Sequence, residues 1–176
     1  MQAALSRTQF LDPAHTLYLS IRGQWADGNL DPSRKMSIGG LNTVRAYDVG
    51  AVSGDRGYQA TIEFHHTFSH SSGQWQGVVF LDSARVTVNN TPWASGFNEA
   101  TLKDVGAGLN WSDPNKWHAR VSIAMPIGSK PEQLGETDSV RTWLEIGRLQ
   151  RACLGVPVFI LSQVPQLTAR SRGHAS

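Results

Sequence analysis

Along most of the chain, apolar and polar residues alternate with a period of two, the mark of strands whose two faces meet different surroundings. From Thr16 to Trp25, Leu17, Leu19, Ile21, Gly23 and Trp25 fall on one face and Tyr18, Ser20, Arg22 and Gln24 on the other. Tyr58 to Thr67 repeats the pattern, with Tyr58, Ala60, Ile62 and Phe64 opposite Gln59, Thr61, Glu63 and His65. Between Trp75 and Val88, Trp75, Gly77, Val79 and Leu81 oppose Gln76, Val78, Phe80 and Asp82. Val105, Ala107, Leu109 and Trp111 then alternate with Asp104, Gly106, Gly108 and Asn110, and Trp117, Ala119, Val121, Ile123 and Met125 with His118, Arg120, Ser122 and Ala124. A short strand around Lys35 to Gly39 and a last one from Val140 to Leu149 bring the total to about seven, and the fold class is all-β.

Strands of about ten residues are long enough to cross a bilayer at a tilt. Trp25, Trp75, Trp111 and Trp117 lie at strand ends, where an interfacial aromatic girdle would sit. Short turns are expected at 27–34, 69–74 and 112–116, the last around Asp113-Pro114-Asn115, and long connections at 40–57, 89–101 and 127–139. Tight turns at one end and long loops at the other describe an outer-membrane barrel. A soluble β-sandwich also alternates, but the polar face carrying Arg22, Glu63, Asp82 and Arg120 and the aromatic strand ends favour an antiparallel transmembrane β-barrel portion. An odd number of strands leaves an edge that lipid cannot cover, so the chain reads as part of a larger barrel.

Composition removes other classes. Sixteen Lys plus Arg against fourteen Asp plus Glu give a formal charge of +2, with no basic cluster that would bind nucleic acid. The single cysteine, Cys153, excludes a disulfide framework and a thiolate zinc site. No run approaches the roughly 18 apolar residues of a membrane helix, and Met1 to Leu11 has no secretory signal pattern. His65 and His66 are strand neighbours pointing to opposite faces, and with His70 they lack a carboxylate or thiolate to complete a metal site. Gly106-Ala107-Gly108 lacks the third glycine and the helix of a dinucleotide fingerprint. With no nucleophile elbow or helix-borne metal motif either, no enzymatic activity, metal or cofactor is expected.

Several short stretches in collinear order carry a resemblance. They are Ile38-Gly39-Gly40-Leu41-Asn42-Thr43-Val44-Arg45-Ala46-Tyr47, then Gly54-Asp55-Arg56-Gly57 leading into Tyr58 to Phe64, and Phe80-Leu81-Asp82. Pro92-Trp93-Ala94, Leu102 to Trp111 and Thr142-Trp143-Leu144-Glu145 extend it over roughly residues 15–150. The sequence resembles the outer-membrane transporters of two-partner secretion, the hemolysin secretion/activation proteins of the ShlB, FhaC and HecB type. In that family a long loop folds back into the barrel and carries a Val-Arg-Gly-Tyr tip, and a neighbouring strand carries Phe-x-Asp. The resemblance implies an inward loop at 40–57 with Val44, Arg45, Ala46 and Tyr47 at its tip, flanked by Gly39, Gly40, Gly54, Asp55 and Gly57. It further implies that Arg45 meets Asp82, beside Phe80, inside the barrel. A guanidinium on a loop suits a fixed carboxylate in a confined lumen, where the pair is oriented and partly desolvated.

Ala46 stands where the family usually has Gly, a small change that leaves the arginine in place. The signal peptide, the plug helix, the periplasmic polypeptide-transport-associated domains and the earlier strands of the family have no counterpart in this sequence. Residues 1–15 are expected to form an incomplete strand or turn and 16–150 the C-terminal part of the barrel. Residues 151–176, with Pro157, Pro165 and a basic polar end, read as an unstructured tail foreign to the family, as a frameshifted gene end would be. The implied function is export of a large hemolysin- or adhesin-type exoprotein across the outer membrane without a cofactor. Its partners would be that exoprotein, outer-membrane lipid and the barrel assembly machinery. The alternatives are a self-contained soluble β-domain that binds carbohydrate or protein, and a non-functional remnant of a broken transporter gene.

Overall fold

Period-two alternation becomes one antiparallel sheet in the computed structural model, which describes residues 1–70, 73–93, 95–113, 117–128, 134, 139–151, 157–159 and 162–163. Its long strands are β1 (Gln2–Phe10), β2 (His15–Gln24), β5 (Arg56–His70), β6 (Gly73–Thr87), β7 (Glu99–Ser112), β8 (Trp117–Pro126) and β9 (Arg141–Arg151). They pair in the order β1-β2-β5-β6-β7-β8-β9, each strand antiparallel to its neighbour. The short strands β10 (Pro157–Phe159) and β11 (Ser162–Gln163) both pair with β9, and the sheet is not closed. Strands β3 (Met36–Ile38) and β4 (Val52–Gly54) form a separate two-stranded ribbon.

The count of seven wall strands therefore holds with different members. The segment at 35–39, read as a wall strand, is β3 of the side ribbon. Residues 1–15, expected as an incomplete strand or turn, contain β1, paired with β2 from Gln2 opposite Gln24 to Phe10 opposite Thr16. The turn at 27–34 also moves. With β3 out of the wall, everything from 25 to 55 is one connection between β2 and β5, so 27–34 lies at the end of the long loops. Parity then puts the connections at 25–55, 88–98 and 127–140 at one end and those at 11–14, 71–72 and 113–116 at the other. Residues 71–72 and 114–116, most of the connection at 127–139, and the tail apart from Arg151, β10 and β11 lie outside the described residues. The pairing of β10 and β11 with β9 replaces the expectation of a wholly unstructured tail.

The faces divide by chemistry. Outward are Leu19, Ile21, Tyr58, Ile62, Phe64, Val79, Leu81, Val105, Val121, Ile123, Met125, Leu144 and Ile146, all exposed. Along β5 this band runs from Tyr58 to Phe68. Ten residues at about 3.3 Å each, tilted by about 40°, give a height of about 25 Å, the thickness of a barrel's lipid-facing belt. At the short-turn end Trp75 and Trp111 pair across strands with ring centroids 6.2 Å apart, and Trp117 opens β8 beside them.

The packed core lies on the other face, inside the curve of the sheet. Ile38, Val44, Ala46, Tyr47 and Val52, from the ribbon and the loop between its strands, pack against Phe80, Ala84, Val86, Ala100, Leu102 and Ala124 of the wall. Hydrophobic burial therefore drives the loop inward, since its apolar residues have no other described surface to cover.

Candidate functional site

The inward loop is a compact run of three turns. Thr43 N–H donates to Gly40 O (3.0 Å), Tyr47 N–H to Val44 O (3.2 Å) and Ala51 N–H to Asp48 O (3.1 Å). Gly39 makes this possible: its φ is +103°, and a Cβ there would stand 2.2 Å from Asp48 O. Gly40 shares the positive φ, whereas Gly54 and Gly57 lie where the chain runs close against β6.

Asp55 pins the base of the loop. It is fully buried and accepts N–H bonds from Leu30 (3.1 Å) and Asn90 (2.8 Å), with Lys35 Nζ 3.2 Å away. Lys35 also donates to Val88 O (2.6 Å) and Asn89 Oδ1 (2.8 Å), so one ion pair ties together three loop segments at the long-loop end. Burial alone would raise the Asp55 pKa, but the Asn90 and Leu30 N–H groups and the Lys35 ammonium outweigh it and hold the carboxyl below its ordinary value.

At the tip, Val44, Ala46 and Tyr47 are buried in the core and Arg45 reaches along the wall. Its guanidinium is hydrogen-bonded to Glu63 Oε1 on β5, and its Nε lies 3.3 Å from Asp82 Oδ2 on β6. Its Cζ sits 3.9 Å from the centroid of the Phe80 ring, a cation–π contact. The tip's main chain is held as well: Ala46 N–H donates to Asp104 Oδ2 on β7 (2.6 Å), and Arg45 O accepts from Trp143 Nε1 on β9 (2.8 Å). Asn42 O accepts from Gln59 Nε2 (3.0 Å), and Asp48 pairs with Arg141 Nη1 (2.5 Å). The tip thus touches β5, β6, β7 and β9.

Of the residues singled out in the sequence, Arg45, Asp82 and Phe80 come together at one point, and Val44, Ala46 and Tyr47 supply the apolar seat beneath it. Glu63, Asp104, Gln59, Arg141 and Trp143 were not assigned to the tip. The alternation had put Glu63 and Asp104 on the lumen face, and Glu63 stands directly opposite Phe80 while Asp104 stands opposite Asp82. His65 turns into the lumen, 2.8 Å from Glu63 Oε2, and His66 turns outward to His15 (2.9 Å). Beside the tip lies a cavity of about 400 Å³ lined largely by polar side chains, among them Arg22, Gln59, Glu63, Gln76, Asn110 and Arg120.

Arg45 of the loop thus lies against Asp82 and Phe80 on the inner face of the sheet. The family model that matches, haemolysin secretion/activation protein ShlB/FhaC/HecB, covers residues 2–126, which span the wall from β1 to β8 and the whole inward loop. The chain belongs to this family. The ShlB/FhaC/HecB proteins are transporters of the outer membrane, and that is the membrane this sheet faces. The heme/hemopexin transporter protein HuxB of Haemophilus influenzae strain 86-028NP is 32% identical over 146 residues, which are 81% of this chain and 25% of HuxB. HuxB of strain ATCC 51907 gives the same identity and coverage. The chloroplastic outer envelope protein 80 of Oryza sativa subsp. japonica is 36% identical over 80 residues, 46% of this chain and 12% of that protein. The chain thus spans about a quarter of the length of the HuxB relatives it matches.

Proposed function

We propose that this chain forms the C-terminal wall of an outer-membrane transporter, rather than an enzyme, that secretes a large hemolysin- or adhesin-type exoprotein by two-partner secretion. The observation that carries the reading is the seat of Arg45, bonded to Glu63 and stacked on Phe80 with Asp82 beside it, within the polar lumen of an apolar-faced wall. A tip held by separate contacts, polar at Arg45 and apolar at Val44, Ala46 and Tyr47, rather than by a continuous ladder is a removable obstruction. Each polar contact can be broken singly and finds water when the tip leaves. Seated, the tip lies against the inner face of β5, β6, β7 and β9. Displaced, it would open the lumen between its two ends, giving an extended polypeptide a path lined by amides and ion pairs. The exported partner is an exoprotein; the outward belt would be covered by outer-membrane lipid, and insertion would be the work of the barrel assembly machinery.

The exposed belt from Leu19 to Ile146 counts against a self-contained soluble domain, because a sandwich would cover that face with a second sheet. The test is secretion by the complete transporter chain that contains this segment, carrying Arg45→Glu or Asp82→Arg. Either reversal places like charges in a partly desolvated site and should cut exported exoprotein by at least ten-fold at equal levels of assembled barrel. Wild-type secretion by both would end this reading.

A further inference from the structure

Asp104 has no part in the arginine's ion pairs, yet it is fully buried and stands opposite Asp82, itself fully buried. A second carboxylate in a site with one guanidinium is an expensive choice for a wall position. Its inward neighbours along β7 and β8 are Ala100, Leu102, Gly106, Gly108, Ser122 and Ala124, which complete the wall without burying a charge. What Asp104 gains is main chain. The Ala46 N–H that it accepts and the Arg45 C=O that takes the Trp143 indole N–H belong to the same peptide unit, at 2.6 Å and 2.8 Å. One peptide plane is therefore gripped at both of its polar ends, by β7 on one side and β9 on the other. Fixing that plane fixes the direction in which the Arg45 side chain leaves the backbone, and with it the depth at which the guanidinium meets Glu63 and Asp82.

We propose that Asp104 and Trp143 are positioning residues that clamp the Arg45–Ala46 peptide unit and set the seat of the loop tip. This rests on the transport reading only for its consequence, since the clamp itself is a matter of where the tip sits. The grip uses no side-chain atom of residue 46, so it works with the family's usual Gly as with the Ala found here.

The experiment uses the complete transporter chain with Cys153→Ser and spin labels at Asn42→Cys, on the exposed part of the tip, and Leu144→Cys, on the outward face of β9. Pulsed electron resonance then reads the distribution of tip-to-wall distances. With Asp104 and Trp143 intact a single narrow distribution is expected. Asp104→Ala should raise the displaced population at least ten-fold, and Asp104→Asn, whose amide oxygen can still accept the Ala46 N–H, should restore the narrow distribution. Trp143→Phe, which keeps the ring and removes the donor, should broaden it in the manner of Asp104→Ala and serves if that variant does not assemble. An unchanged distribution in Asp104→Ala and Trp143→Phe, or Asp104→Asn as broad as Asp104→Ala, would overturn the clamp. Secretion measured on the same variants separates the two readings: a displaced tip with normal secretion leaves the clamp standing and removes the transport role, and a fixed tip with lost secretion does the reverse.

Discussion

Phe80 can offer its face to Arg45 only because the wall behind it has no side chain. A Cβ added at Gly106 would lie 2.3 Å from Phe80 Cζ, 2.7 Å from Cε2 and 2.3 Å from Ile123 O. Carbon atoms in contact sit about 3.5–4.0 Å apart, so Gly106→Ala requires the ring to withdraw by about 1.2 Å or more. The guanidinium already rests 3.9 Å from the ring centroid on the lumen side and leaves no room for that movement. The ring must tilt, or the arginine must lift away. Overpacking of this kind costs about 1–3 kcal/mol, and a desolvated cation–π contact is worth about 0.5–2 kcal/mol. A total near 3 kcal/mol corresponds to a shift of about a hundred-fold in an equilibrium. Phe80→Leu removes the two clashing atoms, so the assay is a double-mutant cycle on the complete transporter, unfolded by urea in detergent. Gly106→Ala should cost at least about 1 kcal/mol less in the Phe80→Leu background than beside the native ring, the remainder coming from the Ile123 carbonyl. Costs that add to within about 0.5 kcal/mol, the level found for independent sites, would refute the stacking argument.

Three further outcomes follow from the same geometry. Because the Asp55 carboxyl is held below its ordinary pKa, the stability it contributes should be fully present above about pH 4, the unfolded value, and fall away as pH drops through the lower folded value; acid unfolding of Asp55→Asn should lack that dependence. Ile62→Arg, on the outward face near the middle of β5, should cost about 2–4 kcal/mol of folding into lipid vesicles, while Gln76→Arg, on the lumen face, should cost much less; equal costs would contradict the face assignment. Gly39→Ala should loosen the loop, since φ is +103° and the new Cβ would meet Asp48 O at 2.2 Å, and faster protease cleavage near the exposed Val49 would report it.

Strands β2, β5, β6, β7 and β8 were legible because a wall between lipid and a polar lumen imposes opposite chemistry on successive residues over ten or more positions. Residues 2–10 were not, since Arg7 and Gln9 share a face with Leu5 and no clean alternation survives. The opposite error came at 35–39, where three alternating residues fit a wall strand and a side ribbon equally well. Mistaking that segment also reversed the end assigned to the turn at 27–34, because each added strand flips the parity of all later connections. Arg45 and Asp82 were legible through the resemblance. Glu63, Asp104 and Trp143 were not, because their contacts join a loop to strands 18, 58 and 98 residues away, and period-two alternation reports a face but not what fills it. The Gly106 gap and the Phe80 ring that fills it lie beyond a one-dimensional pattern for the same reason.

The proposed transporter role requires lipid on the apolar face of this wall and water on its polar one. The most direct measurement is an environment-sensitive fluorophore placed singly at Ile62, Phe64, Val79, Leu81, Val121 and Ile123, and at Gln59, Thr67, Gln76, Asn110 and Arg120, in the complete transporter in lipid vesicles. The first set should be quenched by lipid-attached quenchers and the second by aqueous iodide, alternating residue by residue along each strand. Aqueous quenching of both sets, or the reverse alternation, would contradict a transmembrane wall and with it the transporter reading.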